Sequence, residues 1–415
     1  MNKLEKLIEE LCPHGVEYKN FGEVATIVRG GSPRPIQQFI TEDPNGVNWI
    51  KIGDVEKGSK YITTTKEKII KEGASRSRFV RQGDFILSNS MSFGRPYILK
   101  IDGCIHDGWL AISDFQKYFI PDFLYHLLGS NDIQSMMAQK ASSGTVSNLN
   151  AEIVKSIRLP VPPIPIQKEV TVILDKFTEL EAELEAELEA RKKQYEHYRN
   201  ALLNFSEAVD GNNTSSTILT DRQTGRRLTL GEIGKICMCK RIFKEQTTTA
   251  GDIPFFKIGT FGKQPDAYIS QEVFDEYKRK YSYPKKGDIL LSAAGTIGRA
   301  VIFDGEPSYF QDSNIVWIDN DETTVLNKYL YYFYSIAKWH TSEGGTIARL
   351  YNDNIRKTEM QVPSLEEQER IIALLDKFDA LVNDISEGLP AEIEARQKQY
   401  EYYRDKLLTF KEKSA

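Results

Sequence analysis

The sequence predicts an α+β protein: two similar mixed α/β heads separated by two long antiparallel helices that form a coiled-coil spacer, the whole a pseudo-two-fold internal repeat. Three observations predict it. Short landmarks recur in the same order in both halves. Each half changes character at the same point, from strand-like to helical. The two helical stretches carry nearly the same apolar seam. With 415 residues the chain also exceeds the ~250–300 at which one hydrophobic core divides.

The landmarks come first. Phe21-Gly22-Glu23-Val24 returns as Leu230-Gly231-Glu232-Ile233, and Ile50-Lys51-Ile52-Gly53 as Phe256-Lys257-Ile258-Gly259. Gly83-Asp84-Phe85-Ile86-Leu87-Ser88 returns as Gly287-Asp288-Ile289-Leu290-Leu291-Ser292, and Phe93-Gly94-Arg95 as Ile297-Gly298-Arg299. Residues 144–180 align with 345–381 without a gap, and 190–205 match 395–410 at 11 of 16 positions. Residues 21–143 and 230–344 share only scattered landmarks, so one part of each half varies and the other keeps a common shape.

In those variable regions, runs such as Asp84-Phe85-Ile86-Leu87 and Ala300-Val301-Ile302-Phe303 read as short strands between turns. Helix is expected over 119–141 and 326–339. Proline-containing boundaries follow at 159–165 and 361–364. Pro165 suits a first helical turn, and Ser364 with Glu367 forms a capping-box signature. In the first long helix Leu174, Phe177, Leu184, Leu188, Tyr195, Tyr198, Leu202 and Phe205 keep a heptad phase, broken at Glu181 and Arg191. At 1.5 Å per residue it would run roughly 60 Å. The second helix matches it except around Gly388-Leu389-Pro390, where a break, kink or restart is expected. The divisions expected are a first head over 1–150, its helix over 151–208, a linker and second head over 209–350, and a second helix over 351–415.

Composition excludes several classes. No apolar run approaches the ~18 residues of a membrane helix. Met1-Asn2-Lys3-Leu4-Glu5 lacks a signal-peptide profile. Four cysteines suit a reducing compartment, so a cytoplasmic location is expected. Phosphate-loop, dinucleotide-binding and amino-methyltransferase motifs are missing. The histidines show no metal-ligand spacing and Cys237-x-Cys239 lacks a second pair, so no metal is expected. Pro265-Asp266 with Glu276-Tyr277-Lys278 fits the loose pattern of metal-dependent nucleases, without a counterpart in the first half.

The net charge of −5 argues against nucleic acid only as an average. Residues 21–150 carry 15 basic and 13 acidic groups (+2), residues 230–350 carry 15 and 15, and residues 351–415 carry 10 and 14 (−4). The acid excess therefore lies on the helices. In the first head Arg29, Ser32, Arg34, Arg76, Arg78, Arg81, Arg95 and Asn148 are the candidate DNA-binding residues. In the second they are Lys240, Arg241, Lys244, Lys278, Arg279, Arg299 and Arg349. Such groups neutralise phosphates and, as arginine or asparagine, suit guanine or adenine edges.

Two variable heads, each followed by a similar long helix, resemble the specificity subunit of type I restriction–modification systems. The local carriers are Leu11-Cys12-Pro13-His14-Gly15-Val16-Glu17-Tyr18, Gly144-Thr145-Val146, Gln167, Leu174-Asp175-Lys176-Phe177, and the Tyr-Glu-x-Tyr-Arg segments at 195–199 and 400–404. The resemblance implies that the heads are target recognition domains, each reading one half of a split, asymmetric double-stranded DNA site. It implies helices that set the spacing and dock two modification (methyltransferase) subunits, to which restriction subunits can add. The subunit-interface candidates are Phe177, Tyr195, Tyr198, Leu202, Phe378, Tyr400, Tyr403 and Leu407. The chain itself would then be non-catalytic and without a cofactor, with S-adenosylmethionine, ATP and Mg in the partner subunits. A two-headed protein-binding adaptor is the alternative that the low head charge permits.

Overall fold

The computed structural model describes residues 3–55, 58–89, 94–142, 149–204, 225–340, 349–384 and 388–413. The chain divides into two compact units, residues 1–186 with 392–415, and residues 187–391. That division falls inside the helix Ile164–Asn204, so each unit combines one head with portions of both helical stretches.

In the first unit, Thr26–Arg29, Trp109–Ser113, Phe85–Ser88, Pro96–Leu99 and Tyr61–Ile62 lie side by side in that order. Phe85–Ser88 and Pro96–Leu99 are buried along their whole length, which is why they read as apolar runs rather than alternating ones. A second sheet runs Ile40–Thr41, Glu67–Ile69, Val47–Ile50, Gly103–Ile105, Arg78–Val80. Within it Gly103–Ile105 is parallel to Val47–Ile50, with Cys104 opposite Trp49 and Ile105 opposite Ile50. Edge-on rings fill the core, Phe85 on Phe115 at 5.2 Å and Tyr97 on Trp109 at 5.8 Å.

The second unit repeats the plan with shorter sheets. Lys235–Cys237, Ile315–Asp319, Ile289–Ser292 and Ala300–Ile302 form one. Tyr268–Ile269, Ile253–Phe256 and Tyr309–Phe310 form the other. Its parallel pair sets Phe255 opposite Tyr309 and Phe256 opposite Phe310. Helices over Pro121–Leu128, Asn131–Ser142 and Asn327–Tyr334 agree with the sequence expectation. Lys3–Leu11, Lys71–Ser75 and Gln271–Lys280 are further helices, the last capped by Ser270 Oγ accepting from the Val273 N–H at 3.3 Å.

A short antiparallel ladder closes each head where the chain passes into helix: Glu17–Asn20 with Arg158–Val161, and Arg226–Thr229 with Glu359–Val362. Just beyond each ladder one glutamine is fully buried. Gln167 donates to the carbonyls of Tyr118 (2.7 Å) and Pro162 (2.8 Å) and accepts from the Ile120 N–H (3.0 Å). Gln368 donates to Thr324 O and Pro363 O (2.9 Å each) and accepts from the Leu326 N–H (2.8 Å). One side chain thereby satisfies three backbone groups that burial would otherwise leave unpaired.

The second helical stretch is two helices, Leu365–Asn383 and Leu389–Leu408, separated where Gly388-Leu389-Pro390 predicts a break. Half of the predicted capping box forms, Ser364 Oγ accepting from the Glu367 N–H at 3.3 Å. The Glu367 carboxylate instead takes both ends of Arg370 at 2.7 Å, a stronger charge-assisted partner than a backbone N–H.

Within the first unit, Leu389–Leu408 lies antiparallel to the start of the long helix: Phe177 stacks on Tyr403 at 5.4 Å, and Gln397 donates to Glu181 at 2.7 Å. His126, 1% exposed, bridges the two helices to the head. Its Nε2 meets Asp175 Oδ1 at 2.7 Å and its Nδ1 meets the Tyr400 hydroxyl at 2.9 Å. A neutral imidazole protonated on Nε2 satisfies both, donating to the carboxylate and accepting from the phenol. Burial pushes the His126 pKa down, which favours that neutral ring. The chain end is also held, with Tyr18 donating to Phe410 O at 2.9 Å and Arg158 paired to Glu412 at 2.6 Å.

Candidate nucleic-acid interface

In the first head the basic groups gather where the strand Thr26–Arg29 ends and the turn after Gly103–Ile105 begins. The loop at 30–31 is tied down by the Gly30 N–H to Trp109 O (2.9 Å) and the Gly31 N–H to Ile105 O (3.1 Å). A Cβ on Gly30 would stand 2.1 Å from His106 O, so this approach requires glycine. At its centre sits Asp107. Ser32 Oγ donates to Asp107 Oδ1 at 2.7 Å, and Arg34 Nη2 lies 3.8 Å from Oδ2. Arg29 Nε and Asn89 Nδ2 donate to the Asp107 carbonyl at 3.1 and 2.8 Å. The Ser32 hydroxyl, then the residue's own backbone N–H, hold the Asp107 carboxyl below the usual carboxylate range, and the Arg29 guanidinium acts in the same direction. Arg78 reaches the same loop, its Nε 3.5 Å from Arg29 O. Arg29, Arg34 and Arg78 remain exposed, Arg34 at 85% of its side chain.

The second head builds the corresponding place from different residues. Asp312 follows its parallel strand at the same register as Asp107, and Arg241 Nε donates to Asp312 Oδ2 at 3.0 Å. Arg349 Nη2 donates to Ser313 O at 3.2 Å. Arg241, Lys244, Lys257, Gln311, Asp312 and Arg349 line a cleft of about 510 Å³.

Other predicted residues lie elsewhere. Arg76 rests its guanidinium over the Phe39 ring (5.4 Å), and Arg81 is exposed in a turn. Arg95 stacks over Tyr97 and lines a separate cleft with Glu181, Glu185 and Arg404. Lys240 covers Tyr281, while Lys278 covers Tyr283 and lines another cleft with Lys285 and Lys286. Arg279 is exposed on the helix Gln271–Lys280. Arg299 is half-buried and donates from Nη1 to Phe261 O at 2.9 Å, away from the Asp312 cleft. Asn148 lies outside the described residues.

The nuclease-like residues are spent separately. Asp266 pairs with Lys257 at 2.8 Å and Glu276 with Lys280 one turn along its own helix at 2.7 Å. Among the described residues no group of three or more His, Cys, Asp or Glu is placed to hold a metal ion. Burial raises both thiols of the Cys237 and Cys239 pair, Cys239 to about 12. Among the described residues no helix is long and apolar enough to cross a membrane.

The interface candidates on the helices need correction as well. Tyr195 and Leu202 are buried in the second unit's own core, and Tyr195 and Tyr198 both stack on Phe378 there. Tyr400 is engaged with His126, and Leu407 packs into the first unit's core. Most of this aromatic seam therefore serves the chain's own packing. Phe177 stacks on Tyr403, which stays 36% exposed.

The family model for the type I restriction modification DNA specificity domain matches this chain twice, over residues 13–190 and 227–395. The chain belongs to that specificity family. A putative type I restriction enzyme specificity subunit of Haemophilus influenzae is 55% identical, over 98% of both chains. The EcoR124I/EcoR124II specificity subunit of Escherichia coli is 34% identical over 62% of this chain and 63% of its own length. A chain solved in work on complex assembly and conformational transition of the type I R-M system shares the fold. It has a TM-score of 0.62 at 18% identity and covers 95% of this chain and 97% of its own.

Each specificity-domain match starts at or just before a closing ladder and runs into helix, so it takes in one whole head. Asp107, Asp312 and Gln311 are specificity-domain residues that basic-residue counting passes over. The signal for them is the repeat itself: placed on the common strand order, His106-Asp107 stands over Gln311-Asp312 in otherwise dissimilar turns.

Proposed function

We propose that each head of this specificity subunit reads one half of a bipartite, asymmetric double-stranded DNA site. The first head would do so through the exposed arginines around Asp107, the second through the cleft holding Arg241, Lys244 and Arg349. One observation carries this reading. Two dissimilar sequences build the same basic, carboxylate-centred loop site at the same register of the fold, as two readers of different sequences require. Exposed arginines supply both phosphate neutralisation and a fork for guanine edges. The name "specificity subunit" carried by the relatives supports the assignment.

The chain contributes recognition and assembly. Adenine methylation with S-adenosylmethionine, and any ATP- and Mg-dependent cleavage, belong to two modification subunits and to restriction subunits docked on them. The helices set the distance between readers, since successive major-groove faces recur about every 34 Å. Tyr402, Tyr403 and Leu180, at 60%, 36% and 46% exposure, offer partners apolar surface on the first unit.

The test is methylation mapping in a host expressing the chain with its neighbouring methyltransferase. The expected result is a two-part methylated sequence with a fixed gap. Methylation that needs no second half, or that arises without this chain, would overturn the reading.

A further inference from the structure

We infer that Asp107 and Asp312 are the positioning residues of the two heads: each fixes the basic loop that meets the DNA, so that removing it erodes sequence discrimination in one half-site while leaving non-specific attachment in place. This rests on the reading of the heads as DNA readers. Neither aspartate lies in a basic run of the sequence, and neither suits a phosphate contact, because a carboxylate repels the backbone.

The two positions correspond by topology. Asp107 stands two residues beyond Ile105, which pairs with Ile50, and Asp312 two residues beyond Phe310, which pairs with Phe256. The preceding residue makes the same contact in both heads. The Ile52 N–H meets His106 Nε2 at 3.3 Å, and the Ile258 N–H meets Gln311 Oε1 at 2.9 Å. Each carboxylate then captures a residue from the loop that follows the edge strand Thr26–Arg29 in the first head and the edge strand Lys235–Cys237 in the second. That residue is Ser32 at 2.7 Å in one head and Arg241 at 3.0 Å in the other. The partner differs and the capture is kept.

The capture does different work in each head. Asp107 anchors the backbone of a loop through Ser32, while its own carbonyl takes Arg29 and Asn89. Arg34, next along that loop, is left 85% exposed. Asp312 takes the Nε–H of Arg241, whose side chain stays 62% exposed. An arginine held through Nε still has its Nη1 and Nη2 groups, the pair whose geometry matches guanine O6 and N7. A flexible arginine must lose rotamer freedom to read a base, and a prior ion pair removes part of that cost.

The experiment uses the full chain assembled with its modification subunits. Binding is measured at several salt concentrations to the cognate duplex, to duplexes altered in one half only, and to a non-cognate duplex. Asp107→Ala is expected to lose about tenfold or more of the discrimination in the half read by the first head, and none in the other half. Asp312→Ala gives the converse. Non-cognate binding stays equal or tightens, because a negative charge has gone. Asp107→Asn, whose amide oxygen still accepts from Ser32, restores most of the discrimination. Unchanged discrimination in both alanine variants, with Arg34→Ala and Arg241→Ala still impairing binding, overturns the positioning role and leaves the heads as readers. Equal loss of cognate and non-cognate binding, with a lowered melting temperature and no rescue by asparagine, also overturns it, as a folding defect. If none of the four alanine variants alters DNA binding, the reading of the heads themselves has failed.

Discussion

Gln167→Leu and Gln368→Leu each remove a fully buried side chain that ties a long helical stretch to its head. Leucine preserves most of the volume and deletes three hydrogen bonds at each site, leaving the N–H of Ile120 or Leu326 and two carbonyls buried without that partner. At about 0.5–1.5 kcal/mol net for each bond, the loss is about 1.5–4.5 kcal/mol per site. For a unit of about 200 residues, where 1 kcal/mol moves the midpoint by about 2–4 °C, the melting transition falls by roughly 3–18 °C. Scanning calorimetry of the two single variants and the double variant measures it. The glutamines share no partner and lie in separate units, so the losses add within about 0.5 kcal/mol. A shift below about 1 °C in either single variant refutes the claim that these side chains satisfy buried backbone.

The His126 bridge makes the first unit acid-sensitive. Its folded pKa is depressed below 6.5, as is that of Asp175 below 3.8, so both groups contribute stability above their unfolded values that is lost as pH falls. Denaturant titrations should show the first unit weakening as pH drops below about 6.5, and Tyr400→Phe should cost a further ~1–2 kcal/mol at neutral pH by stranding Nδ1. A pH-independent midpoint between 7 and 5 contradicts the neutral-ring assignment. Arg299→Ala should lower stability by about 1–2 kcal/mol with cognate DNA affinity retained, whereas Arg241→Ala should weaken cognate binding by about 1–3 kcal/mol with little change in stability. Thermal melts beside binding isotherms separate the two, and a reversal of the pattern refutes the placement.

The repeat, the position of the long helices and the break at Gly388-Leu389-Pro390 were legible because local chemistry dictates them: proline, glycine and a heptad stripe act over a few residues. What escaped is non-local. Tyr400 looks like a free seam residue until His126, 274 positions away, is brought beside it. The basic clusters suffered from the same limit. Counting charges does not show that Arg299 turns inward to Phe261 O, or that Arg95 belongs with Arg404 rather than with Arg34. Asp107 and Asp312 escaped because a single aspartate in two unlike turns carries no motif, and only strand register aligns them.

Exchange of one head tests the central claim most directly. Residues 21–143 are replaced by the corresponding segment of a related specificity subunit, and the methylated sequence is mapped in a host that supplies the modification subunits. The account predicts that one half of the bipartite sequence changes while the other half, and the gap between them, stay as they were. A change in both halves, or in neither, would contradict it.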